Sequence, residues 1–156
     1  MWGGKRAGRA GDVRARWRAL PRWARWTGAG YVIGFAEGTA AHWLDLARGG
    51  IHVYAAFATV PLQVFFVGLA VLDPLTVAWV GLVRPAGIRW AAVVMTLDVA
   101  ANWCVNWPLL VADPTWVWRP VGLLPITLFG LFVVGTAVPL LRAVGAVRGR
   151  LDRASR

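Results

Sequence analysis

Asp98, Asn102 and Asn106 recur every fourth residue within LDVAANWCVNW, Leu97 to Trp107, a stretch otherwise suited to oil. A carboxylate can hold a cation or carry a proton, and amides at that spacing can orient what it holds. Glu37 and Asp73 stand in two other apolar stretches, and His42 follows Glu37; no Lys or Arg lies within any of the three stretches. Acids without basic partners cannot all stay charged and dry unless water, a histidine or a bound cation compensates. Each way out implies a different role. Protonated acids donating to Asn102 or to backbone carbonyls would hold helices together. A water-filled, outward-open cavity would be a binding or transport site, and acids beside His42 would transfer protons or capture a metal.

Spacing narrows these options. Positions four apart advance about 40° around a helix, so Asp98, Asn102 and Asn106 form one slightly spiralling stripe. A charged side chain near the bilayer centre costs about 2.5 to 3.5 kcal/mol even on a lenient insertion scale, so such a stripe turns inward. Glu37 and His42 lie about 140° apart around their helix and pair poorly, so no metal site is expected from those two alone and no cofactor is implied. His42 and Asp45 are three apart and can meet at one ligand, with His52 beyond the following turn able to join them. Asp45 and Asp113 otherwise read as end-of-helix residues in water.

The elements that position these groups follow from composition. The chain has 156 residues, 58% of them hydrophobic, and 11 are Trp; its mean hydropathy is +0.57. A soluble domain of this size has too little interior for that much apolar surface. The apolar residues come in blocks, and a helix needs about 20 residues to cross a bilayer. The expected fold is therefore an all-α integral membrane protein, a four-transmembrane-helix bundle. Its approximate spans are 27–46, 55–83 kinked near Asp73-Pro74, 90–112, and 121–141. A basic, amphipathic segment over 1–26 precedes the membrane domain 27–141, and a basic tail over 142–156 follows it.

Charge sets the orientation. Fifteen of the 17 Lys and Arg residues fall before the first block, between the second and third, or after the fourth; Arg48 and Arg119 alone occupy the other two connections. Cytoplasmic loops collect such residues, so both termini are expected inside the cell. Within RARWRALPRWARW, Arg14, Arg16, Arg18, Arg22 and Arg25 interleave with indoles, a pattern able to lie on anionic lipid headgroups. The competing reading is a solvated run that only enforces topology. Nucleic-acid binding is disfavoured, because the basic residues sit where orientation alone would place them.

A lone cysteine, Cys104, excludes an internal disulfide and a cysteine metal cluster. The long arginine-rich stretch before the first block reads as the lead to a retained crossing, without a cleavable signal. Arg in place of Lys, with abundant Ala, Gly, Val and Pro, suggests a bacterial source and the bacterial cytoplasmic membrane. Gly30, Gly34 and Gly38 form a doubled GxxxG ridge that should meet a neighbouring helix closely. Trp43, Trp116 and Trp118 read as an outer interfacial belt, and Trp26, Trp79 and Trp90 as an inner one.

The leading expectation is a non-enzymatic small membrane protein. Its pocket, drawn from Glu37, His42, Asp73, Asp98, Asn102 and Asn106, would bind or conduct a small cationic or amphipathic ligand. In residue types alone, through Glu37, Asn102 and Trp103, the set is similar to the helical pocket of the sterol-isomerase and sigma-2-receptor group. That analogy implies the second expectation, an integral membrane enzyme doing acid/base chemistry on a lipid. A structural subunit of a membrane complex, or a homo-oligomer with the glycine ridge at the contact, is the third.

Overall fold

The computed structural model describes residues 13–119 and 122–154. Residues 1–12 of the basic segment, Val121 at the head of the fourth apolar block, and Arg156 lie outside the described residues. The described chain is helical throughout, with no strand among its residues. A short helix α1 covers residues 13–19. It is followed by α2 (Arg22–Gly49), α3 (Val60–Gly81), α4 (Pro85–Ala112) and α5 (Leu123–Ala154). Single 3₁₀ turns, Gly50–His52 and Pro114–Trp118, sit in the α2–α3 and α4–α5 connections.

Prolines punctuate these helices. Pro21 is extended at the cap of α2, and Pro61 and Pro85 stand in the first turns of α3 and α4, where an amide would have no helical partner. Pro74 lies inside α3 and leaves the Ala70 carbonyl without its helical donor. Trp43 of α2 supplies one, its Nε1 donating to Ala70 O at 2.8 Å. The turn from α3 to α4 closes with Arg84 N donating to Trp79 O and Val83 N to Val80 O, at 3.2 and 2.8 Å. Val83 holds the left-handed conformation there, φ 54°, at a position that usually belongs to glycine.

Three helices, α3, α4 and the Leu123–Arg150 portion of α5, are long and apolar enough to cross a membrane. At 1.5 Å per residue the 22-residue α3 spans about 33 Å, against roughly 30 Å of hydrocarbon. The outward faces of the bundle are apolar: Val64 and Leu131 are 68% and 67% exposed. Such a surface suits acyl chains and would be anomalous in water. α2 matches α4 in length at 28 residues, yet with Arg25, Glu37, His42 and Asp45 it is not apolar enough to join the other three. The limits of the helices also differ from expectation: α3 begins at Val60 and not at 55, because residues 53–58 form turns, and α4 begins at Pro85 and not at 90. α2 begins at Arg22, immediately after the Pro21 break, and α5 continues to Ala154 through what reads in sequence as a tail, because nothing in LLRAVGAVRGRLDRA breaks a helix.

Consecutive helices α2, α3, α4 and α5 pack side by side, and α2 also touches α5, closing the bundle. The glycine ridge of α2 serves two neighbours. β-Carbons on Gly30 and Gly34 would run into the rings of Phe132 and Phe129 of α5, and one on Gly38 would meet the Asp73 carboxylate of α3. Hydrogen bonds join the same helices: Tyr31 donates to Val133 O, and Trp103 Nε1 to Thr127 Oγ1 at 3.0 Å. In lipid, close contacts and hydrogen bonds of this kind, about 0.6 kcal/mol each on average, replace the hydrophobic effect between helices.

Candidate functional site

Asp98 falls midway along α4 and Asp73 midway along α3; both carboxylates are buried. Their helices are neighbours in the bundle. From Asp98 the polar stripe climbs α4 as expected. Asn102 Nδ2 donates to Asp98 Oδ1 at 2.9 Å and to Asp98 O at 3.0 Å, and Asn106 Nδ2 donates to Asn102 O at 2.9 Å. Trp116 of the Pro114–Trp118 turn then donates from Nε1 to Asn106 Oδ1 at 3.0 Å. An indole on a connection thereby caps an amide ladder that starts at mid-bundle.

A second group faces this ladder from α2 and the α2–α3 connection. His42 Nδ1 lies 2.9 Å from the Tyr54 hydroxyl, which donates to Asp45 Oδ2 at 3.3 Å. A hydroxyl has one proton, so with Asp45 as its acceptor the proton between His42 and Tyr54 belongs to Nδ1. The other ring nitrogen, Nε2, points to Asp73 Oδ2 at 3.9 Å. At that distance the two do not hydrogen-bond; a closer contact would require a proton on Asp73 or a second one on the imidazole, because the neutral Nε2 carries a lone pair. Burial, then the Asp45 charge, pushes the Tyr54 hydroxyl above the ordinary tyrosine range and keeps it a donor.

Between the two groups lies a cavity of about 510 Å³. Asp98, Asn102 and Asn106 line one side, His42 and Asp45 the other, and Tyr54, Phe57, Phe66 and Trp116 provide aromatic walls. It runs from mid-bundle to the end of the molecule that carries the α2–α3 and α4–α5 connections. Aromatic walls with a few convergent polar groups are the usual form of a small-molecule site, whose volumes run from about 300 to 1,000 Å³. The chain matches no protein-family model, no curated protein and no solved structure.

The site differs from the sequence expectation in its membership. His42, Asp98, Asn102 and Asn106 come together, with Asp73 joined through His42. Glu37 does not: it is exposed on the outer face of α2. Gly38, one residue and about 100° further around the helix, is the position that meets Asp73. His52 is exposed and stands apart. Asp45, expected in water, is half-buried and accepts from Tyr54. Trp116, expected in an interfacial belt, caps Asn106. Tyr54 was not legible as a site residue; its only sequence signal is rarity, one of 2 Tyr against 11 Trp. Among the described residues no group of three His, Cys, Asp or Glu has metal-holding geometry.

Proposed function

We propose that this protein is a four-crossing membrane protein, both termini cytoplasmic, whose outward-facing cavity binds a small amphipathic cation. The observation that carries the reading is the convergence of Asp98 of α4 with His42 and Asp45 of α2 on one aromatic-walled space, with Asp73 of α3 behind His42. The carboxylates supply counter-charge, and Asn102 fixes the Asp98 oxygen. Tyr54 and Phe66 would offer ring faces to a cation and apolar surface to its substituents, while the Trp116 ring is stacked by the Arg119 guanidinium, 3.7 Å from its centroid. α2 forms the fourth crossing in this reading, since it packs against α3 and α5 and its His42 and Asp45 turn inward, although Glu37 faces out. The positive-inside bias of the basic residues supports the orientation, and the bacterial cytoplasmic membrane is the proposed location. Arg14, Arg18, Arg22 and Arg25 would rest on anionic headgroups.

The test uses the full chain in detergent micelles with two probes of one shape and opposite charge, tetraphenylphosphonium and tetraphenylborate. The phosphonium should raise the thermal midpoint and the borate should not, and Asp98→Asn should remove the difference while leaving helicity intact. Equal responses to both ions would rule the reading out. The Tyr54–His42–Asp73 chain of proton-bearing groups favours one second reading, acid/base chemistry on a lipid. In that case a lipid extract would change in mass with wild type and not with His42→Ala.

A further inference from the structure

A second cavity, of about 610 Å³, opens at the opposite end of the bundle and is framed by Arg16, Arg84, Arg89 and Arg148. These arginines come from four places in the chain: α1, the α3–α4 turn, the first turns of α4, and the end of α5. Each is held there by local structure. Trp17 Nε1 donates to Gly81 O at 2.7 Å while its ring lies against Gly28, so α1 is pinned across the ends of α2 and α3 and brings Arg16 with it. The left-handed Val83 turns the chain sharply into α4, whose cap is Arg84 and whose first turns carry Arg89, and both line the cavity. α5 continues past its apolar span to present Arg148, and Val144 and Val147 of the same helix form the floor.

Guanidinium groups stay charged at any physiological pH. Five of the acids, Glu37, Asp45, Asp73, Asp98 and Asp113, lie at mid-bundle or at the other end, and among the described side chains no ion pair joins an acid to any of the four arginines. Arg84 caps α4 without a side-chain hydrogen bond, and Pro85 has no amide proton, so the Ala86 amide at the cavity wall belongs to an uncapped N-terminus of a 28-residue helix. Its dipole adds to the positive potential. Four forked donors and a helix N-terminus around one space match the oxygens of a phosphate, while the valine floor leads toward the apolar faces of α5.

We infer that the cavity framed by Arg16, Arg84, Arg89 and Arg148 is a binding site for one phosphate-bearing anion. The phosphate belongs either to an anionic lipid headgroup or to a free phosphate compound. The site is separate from the acid-lined cavity and does not depend on its ligand.

The full chain in maltoside micelles should retain one phosphatidylglycerol per protein in native mass spectra and no comparable phosphatidylcholine. Arg84→Gln with Arg89→Gln should lower the occupied fraction about tenfold. Arg142→Gln with Arg150→Gln, exposed arginines of α5 outside the cavity, should leave it unchanged. Inorganic phosphate titrated calorimetrically into lipid-free micelles identifies the source: binding lost in the Arg84/Arg89 variant marks a free anion, and no binding beside retained phosphatidylglycerol marks a headgroup. Helicity and thermal midpoint verify that both double variants fold, and rising salt should displace the anion from wild type. Full occupancy in the Arg84/Arg89 variant, equal loss in the control pair, or equal retention of phosphatidylcholine would overturn the site.

Discussion

The Asp73 carboxylate rests against the backbone of Gly38, so closely that a β-carbon there would stand 2.7 Å from Oδ2. The glycine that looks in sequence like a helix-packing residue is also what makes room for an acid of the candidate site. Gly38→Ala should therefore move the Asp73 side chain away from His42. The expected outcome is about a tenfold weaker response to tetraphenylphosphonium with a small change in thermal midpoint. Gly34→Ala presses on the Phe129 ring instead and should do the reverse, lowering the midpoint and sparing the probe.

Glu37 separates depth from direction. Because it is exposed on the outer face of α2 and is not part of the cavity lining, Glu37→Gln should leave probe affinity within about twofold of wild type. If α2 crosses the bilayer, Glu37→Leu should improve its insertion by about 3 kcal/mol in a glycosylation-mapped insertion assay. No gain would remove α2 from the crossings.

Tyr54 bridges His42 and Asp45, and deleting its hydroxyl leaves both without that partner. Tyr54→Phe should cost about 1 to 2 kcal/mol at pH 8, measured by chemical unfolding in micelles. The folded hydroxyl ionises above the ordinary tyrosine range, so its contribution is complete below about pH 10 and fades as pH rises through the folded value. The gap between wild type and variant should accordingly shrink in strongly alkaline buffer. A gap that widens there would contradict the assigned donor role.

Gly87 faces backbone rather than a side-chain tip: an added β-carbon would lie 2.6 Å from the Trp79 carbonyl carbon. Gly87→Ala should destabilise the α3–α4 turn by about 1 to 3 kcal/mol, since overpacking against main chain has no cheap relief. Thermal midpoint and the yield of monodisperse protein report it.

Asn106 is the acceptor for the Trp116 indole. Asn106→Leu should release the turn 114–118 at the cavity mouth, seen as a red shift and easier quenching of tryptophan emission. Probe binding should weaken less than in Asp98→Asn, which removes charge.

Hydropathy blocks and the three-to-four-residue rhythm of polar positions are local properties, so sequence alone was enough to expect a helical chain built around membrane-length apolar helices; it counted four, and three of the helices in the structure are long and apolar enough to span a membrane. It also settled that Asp98, Asn102 and Asn106 share a face, because the spacing within one helix is enough to say so. It could not settle how each helix is rotated about its own axis. That rotation is decided where Gly30 and Gly34 admit the rings of α5 and Gly38 admits Asp73, contacts between segments about 35 to 100 residues apart. One residue of difference on α2 left Glu37 outside and put Gly38 against an acid of another helix. Tyr54 and Trp116 lie in connections with no periodicity to betray them, and only the closing of the bundle brought them over the polar stripe. The arginine-framed cavity is likewise a product of assembly: in the sequence its members are indistinguishable from basic residues that merely orient the chain.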